Sequence, residues 1–189
     1  ALYAHPLDSA IRIDGEAGDW EPLADRRRSF GYDRQRTTPE DAQPDGAFDL
    51  VLGERGRQLY AFMQVHDDSL VYRNPDALRL DNADHVRLTY TTPEGERGRL
   101  QISLLRPGVT TAYHMDSDWK LAADGQPENR VQGYMVETDR GYHVEFRLPL
   151  FPEVLGQSRG NSGIIFEDYT FHELQVLDSY GLPGYYNEC

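Results

Sequence analysis

The chain has 189 residues, enough for one well-buried domain with or without a further fragment, and its 39% hydrophobic, 27% charged and 11% aromatic content excludes a disordered segment. A formal charge of -13 repels phosphate backbones and anionic lipid heads, which sets nucleic-acid and membrane-surface roles aside. The one cysteine, Cys189, makes no internal disulfide, and no stretch reaches the ~20 apolar residues of a membrane helix.

In chain order, the start at Ala1 in place of Met points to a processed or excised piece of a longer protein. Ile11–Asp14 reads as a short strand, with Trp20 at the turn after it packing under a sheet edge. Arg26, Arg27 and Arg28 are the one cationic run and read as solvated loop. The aperiodic polar stretch from Arg26 to Gly46 reads as a rim loop. Phe48–Gly53 follows as a strand. Gln58–His66 alternates, with Leu59, Ala61, Met63 and Val65 on one side and Tyr60, Phe62, Gln64 and His66 on the other. "HVRLTY" sets Val86, Leu88 and Tyr90 inward and Arg87 and Thr89 outward. Leu100–Leu104, Val109–Tyr113 and Val131–Thr138 are further short strands. "GYHVEFRLPL" sets Tyr142, Val144, Phe146 and Leu148 against His143, Glu145 and Arg147. Eight or more short strands, without an amphipathic run of ten or more residues at period 3.6, predict an all-β fold, an antiparallel β-sandwich with jelly-roll or immunoglobulin-like layering.

Several constellations are candidates for chemistry. Trp119 lies in a polar loop with Tyr113, His114, Asp116 and Asp118, the ring-plus-polar composition that binds sugars by stacking and hydrogen bonding. Asp81, Asn82 and Asp84 gather oxygens of the kind calcium takes, as do Asp116 and Asp118, although Asx turns use the same residues. Met63 and His114 are a haem-ligating pair in type, with core filling as the plainer role for Met63. Gly156–Gly160 spells G-x-S-x-G but lacks the strand-then-helix flanks of a nucleophile elbow, so it reads as a surface turn. His85, His114, His143 and His172 recur every 29 residues, but their flanks share no turn residues in phase, so the spacing reads as chance.

"RIDGEAGDW", "QLYAFMQVHDDS", "LDNADHVRLTY" and "GYHVEFRLPL", in that order, resemble the landmarks of family 9 carbohydrate-binding modules and their DOMON-like relatives. "LYAHPLDSAIRIDGEAGDW" and "NRVQGYMVETDRGYHVEFRLPL" further resemble the extracytoplasmic sensor region of proteobacterial membrane histidine kinases that accompany dedicated sortase systems. That likeness implies a β-sandwich input domain over residues 1–158. It would be periplasmic and would take a small molecule or glycan, reaching membrane and kinase core only through the parent chain in two-component signalling. It implies structural roles for Asp14, Gly15, Trp20, Gly141, Tyr142 and Pro149. A DOMON-like relative would instead bind haem and transfer electrons.

The last segment, "GNSGIIFEDYTFHELQVLDSYGLPGYYNEC", resembles a central stretch of the 3-keto-disaccharide hydrolase family, a concanavalin-like jelly roll. By that likeness Glu173 and Gln175 would face a sugar cleft with Asp178 nearby. Residues 159–189 are thus either closing strands of the sandwich or a discordant hydrolase fragment. The functional expectation is a non-catalytic sensing or carbohydrate-binding module, with a fragment or accessory module of a carbohydrate-active hydrolase as the alternative.

Overall fold

The computed structural model describes residues 4–30, 47–76, 83–91, 97–121, 125–149, 170–177 and 186–187. Its strands are β1 (Ala4–Pro6), β2 (Arg28–Phe30), β3 (Phe48–Arg55), β4 (Gln58–His66), β5 (His85–Thr91), β6 (Arg97–Ser103), β7 (Gly108–Val109), β8 (Thr111–His114), β9 (Gln132–Thr138), β10 (Gly141–Pro149), β11 (Thr170–Leu177) and β12 (Tyr186–Asn187). One sheet runs β1-β3-β4-β10-β9-β7 with β2 also on β3, and the other runs β12-β11-β5-β6-β8. The fold is the all-β sandwich that the alternation predicts.

The core follows from that alternation. Leu59, Ala61, Met63 and Val65 of β4 and Tyr142, Val144, Phe146 and Leu148 of β10 form one wall, joined by Leu50 and Leu52 of β3. Val86, Leu88 and Tyr90 of β5, Leu100 and Ile102 of β6, and Ala112 of β8 form the facing wall. Gly98 sits where the Tyr90 ring leaves no room for a Cβ.

Four stretches differ from the sequence expectation. Ile11–Asp14 is not a strand, because its amides go to carboxylates in place of a neighbouring strand: Arg12 N–H donates to Asp19 Oδ2 at 2.8 Å and Asp14 N–H to Glu145 Oε1 at 2.7 Å. Gly18–Arg26 is a 3-10 helix broken at Leu23 and containing Pro22, too irregular to show a 3.6-residue period. Arg28–Phe30, expected in the rim loop, pairs with Phe48–Leu50, and the rest of that loop lies outside the described residues. Val109–Tyr113 is not one strand but two. β7 pairs with β9 in the first sheet and β8 with β6 in the second, and the chain crosses at Thr110, whose N–H bonds Gly133 O at 3.0 Å.

The N-terminal segment covers the outer face of the seven-stranded sheet. Ile11 and Trp20 bury themselves against Val51, Tyr60 and Phe62, and Trp20 is wholly inaccessible. Glu145, an outward residue of β10, lies beneath them. Its carboxylate accepts Asp14 N–H, Gly15 N–H at 3.1 Å and Trp20 Nε1–H at 2.6 Å. Burial pushes the Glu145 carboxyl up, while these three donors pull the other way. Gly15 takes φ +77, and a Cβ there would meet Val136 Cγ1 at 3.1 Å. His143 completes the seam, donating from Nδ1 to Gly15 O at 3.2 Å and facing the amide of Gln64 with Nε2 at 3.3 Å.

Candidate functional site: the outer face of the five-stranded sheet

With Val86, Leu88, Leu100 and Ile102 turned to the core, the pleat turns the alternate residues of β5, β6 and β8 to the other side. Register aligns Arg87 with Gln101 and Gln101 with Tyr113, and next to them His85 with Ser103 and Ser103 with Thr111. These polar groups are not solvated surface: His85, Gln101 and Ser103 are 0–2% exposed. His85 donates from Nδ1 to Ala83 O at 2.7 Å. On β11, Gln175 is in register with Arg87 and Glu173 with Thr89.

Past β8 the chain folds back over this face. Asp116 organises the turn. Its N–H bonds Lys120 O at 2.8 Å, its carbonyl takes Trp119 N–H at 3.1 Å, and its Oδ1 accepts Asp118 N–H at 2.8 Å and Lys120 N–H at 2.9 Å. The Lys120 amide chiefly holds the Asp116 carboxyl below its ordinary range, with help from Asp118 N–H and the charges of Lys120 and Arg99. A bridge between Met115 and Leu121 closes the turn. Trp119 takes φ +57, a left-handed conformation unusual for a tryptophan, and packs on Tyr113 and Met115.

Two guanidinium groups bracket these rings. Arg87 Cζ lies 4.5 Å from the Trp119 ring centroid and Arg73 Cζ lies 5.0 Å from that of Tyr113. Arg73 is anchored by its N–H to Leu104 O at 2.8 Å and donates from Nη1 to the Tyr113 hydroxyl. The result is a continuous row, Arg87, Trp119, Tyr113, Arg73. Among the described residues Arg73 Nε and Ser103 Oγ are buried without a hydrogen-bond partner.

The sequence-predicted residues divide. Tyr113 and Trp119 meet on this face. His114 turns to the sandwich edge, where Nε2 lies 2.8 Å from Glu128 Oε2. Glu128 also takes Arg130 Nη2–H at 2.7 Å, and Arg130 is the main cause that lowers the Glu128 carboxyl to about 2. Asp116 shapes the turn, and Asp118 is exposed within it. Met63 is wholly buried among aliphatic core residues. Asp84 accepts Val71 N–H at 2.6 Å, while Asp81 and Asn82 lie outside the described residues, as do Asp178 and the G-x-S-x-G turn. Beside Asp84 is Asp67, whose carboxyl is pushed up to about 7 by burial first and then by the Asp84 charge, against the pull of the Ser69 amide. Arg73 and Arg87 were not singled out. Alternation marks Arg87 as outward, but no local pattern joins it to Trp119.

A second feature is a cavity of about 590 Å³ at the edge between the sheets, lined among others by Ile13, Thr110, Glu128, Gln132 and Tyr134. It offers one phenol ring, and its carboxylate is already held by Arg130 and His114.

No family model matches this sequence, and no curated protein matches it. Solved structures do. A family 9 carbohydrate-binding module from Caldicellulosiruptor kristjanssonii in complex with cellotriose superposes with a TM-score of 0.55 at 15% identity, covering 100% of this chain and 83% of the other. The same organism's module with glucose gives 0.56 at 16% identity, covering 100% and 84%. A protein from Bacteroides uniformis, to which carbohydrate binding is provisionally ascribed, gives 0.58 at 9% identity, covering 98% and 87%. At these identities the likeness is one of fold: the chain has the β-sandwich of family 9 carbohydrate-binding modules.

Proposed function

We propose that this chain is a carbohydrate-binding module that recognises its glycan on the outer face of the five-stranded sheet without transforming it. The observation that carries this reading is the Trp119–Tyr113 pair set beside the two guanidinium groups, in a fold shared with modules seen with cellotriose and glucose. Sugar C–H faces stack on such rings, and planar amide and guanidinium groups bond ring hydroxyls. Trp119 supplies the platform, while Arg87 and Arg73 supply direction. The pairing of β11 with β5 supports reading residues 159–189 as closing strands of this sheet.

The wider role is an extracytoplasmic input domain, periplasmic in a bacterial cell and joined through its parent chain to a membrane histidine kinase. The support is the sequence likeness of the opening and of the Asn129–Leu150 stretch to such sensors. The experiment is titration of tryptophan fluorescence with a glycan panel on wild type and Trp119→Ala. Saturable quenching in the first and none in the second is the expected result, and no response to any glycan would overturn the reading. The hydrolase alternative is tested by turnover of a 3-keto-glycoside and its loss in Glu173→Gln.

A further inference from the structure

We propose that the cavity at the edge between the sheets is a second binding site, separate from the Trp119 face and independent of the reading given to it, for a small neutral polyhydroxylated ligand of mono- or disaccharide size. The fold opens this cavity where the chain passes from one sheet to the other. β7 pairs with β9 in the first sheet and β8 with β6 in the second, so the two sheets separate on either side of Thr110. The volume, about 590 Å³, falls within the roughly 300–1,000 Å³ that small-molecule sites take. Two of its buried lining residues are locked together: Thr110 N–H bonds Gly133 O at 3.0 Å, and Thr110 Oγ1 leaves no room for a Cβ at Gly133.

The polar lining divides into groups already engaged and groups left over. Glu128 is engaged. Its Oε1 accepts Arg130 N–H at 3.0 Å and Nε–H at 2.8 Å, and its Oε2 accepts Arg130 Nη2–H at 2.7 Å and lies 2.8 Å from His114 Nε2. The Glu128 backbone is tied as well, by its N–H to Ala112 O at 2.7 Å and by its O to Val131 N–H at 3.2 Å, so the turn that presents Asn129 is a preorganised wall. Gln132 Oε1 accepts from Arg147 Nη2. By contrast, the side chains of Thr111, Asn129 and Tyr134 make no hydrogen bond to another described residue. A hydroxyl, a carboxamide and a phenol offer donors and acceptors without charge, which suits ligand hydroxyls. Ile13 and Val109 add apolar surface for ligand C–H groups, and Val109, 73% exposed, is the most exposed large hydrophobic residue described. The lining carboxylate is already matched by Arg130, so an ionic ligand would lose water there without gaining a counter-charge.

The test is a ¹H–¹⁵N titration of the whole chain and of Trp119→Ala with glucose, cellobiose and glucuronate, read at the backbone amides of Thr111, Asn129 and Tyr134. Glucose or cellobiose should move these amides saturably in both proteins, and glucuronate should bind there at least about fivefold more weakly than glucose. Tyr134→Phe and Asn129→Ala should each weaken the cavity response about two- to tenfold and leave the Trp119 response unchanged. Thermal melts confirm that the variants fold, and Asn129→Ala serves if Tyr134→Phe does not. Saturable shifts at Trp119 with none at the cavity amides would overturn the second site and leave the Trp119 platform standing. Saturable shifts at the cavity amides alone would support the second site and overturn the platform. No saturable shift at either place would overturn both, and glucuronate binding at the cavity as tightly as glucose would overturn its assignment to a neutral ligand.

Discussion

The two outer faces of the sandwich carry one tryptophan each, and they are built in opposite ways. Over the seven-stranded sheet, Trp20 is inaccessible, its indole N–H is bonded to Glu145, and the same carboxylate closes the Asp14–Gly15 turn. Over the five-stranded sheet, Trp119 is half-buried at φ +57, stacked with Arg87 and continued by Tyr113 and Arg73. The first face is internally complete: each buried polar group named there has a partner, as stability demands. The second holds a left-handed tryptophan and, among the described residues, buried polar atoms of Arg73 and Ser103 without a hydrogen-bond partner. The residues that make the chain recognisable, "IDGEAGDW" and "GYHVEF", therefore hold the fold together, and the residues proposed to meet a ligand lie elsewhere.

The largest break in this comparison comes at the closed face. Trp20→Ala removes a fully buried indole and leaves Glu145 short of a donor, so denaturant titration should show a loss of about 3–5 kcal/mol. Glu145→Ala should cost about 1–3 kcal/mol by orphaning three donors, with the Trp119 signal unchanged in whatever fraction remains folded. On the open face the effect should be on binding. Trp119→Ala keeps the Cβ at a left-handed position and removes a half-buried ring, so stability should fall by about 1–2 kcal/mol, less than at Trp20, while glycan affinity falls about tenfold or more.

Two acid groups sharpen the picture with smaller effects. The Asp67 carboxyl is raised to about 7, so the folded state holds its proton more firmly than the unfolded chain. Its contribution is therefore full below about pH 4 and is lost as pH rises through 7. Asp67→Asn should flatten that decline in a series of melts from pH 4 to pH 8. Glu128 has the opposite sign. Lowered to about 2, it contributes above its ordinary pKa and loses that contribution as pH falls towards 2. Glu128→Gln should flatten the acid limb by about 1 kcal/mol at most, since Arg130 is 42% exposed.

Alternation made the core legible in the sequence, because Met63, Val86 and Phe146 sit on sides that period 2 alone assigns. It could not say what covers the far side of a strand. Glu145 reads as a solvent-facing residue and is fully buried, since a segment some 130 positions earlier lies over it. Ile11–Asp14 has strand composition, but side-chain carboxylates capture its amides. The site was legible by halves for the same reason. Tyr113 and Trp119 are neighbours in sequence and were found together, whereas Arg73 and Arg87 reach them only across the sheet and the loop that precedes β5.

Because each outer face holds a single tryptophan, the two indole N–H resonances of a ¹⁵N-labelled sample report on the faces separately. Titration with the glycan that binds most tightly should move the Trp119 indole peak in a saturable way and leave the Trp20 peak in place. A saturable shift at Trp20 alone, or shifts confined to the Gln132–Tyr134 edge cavity with Trp119 unmoved, would contradict the assignment of the ligand to the five-stranded face.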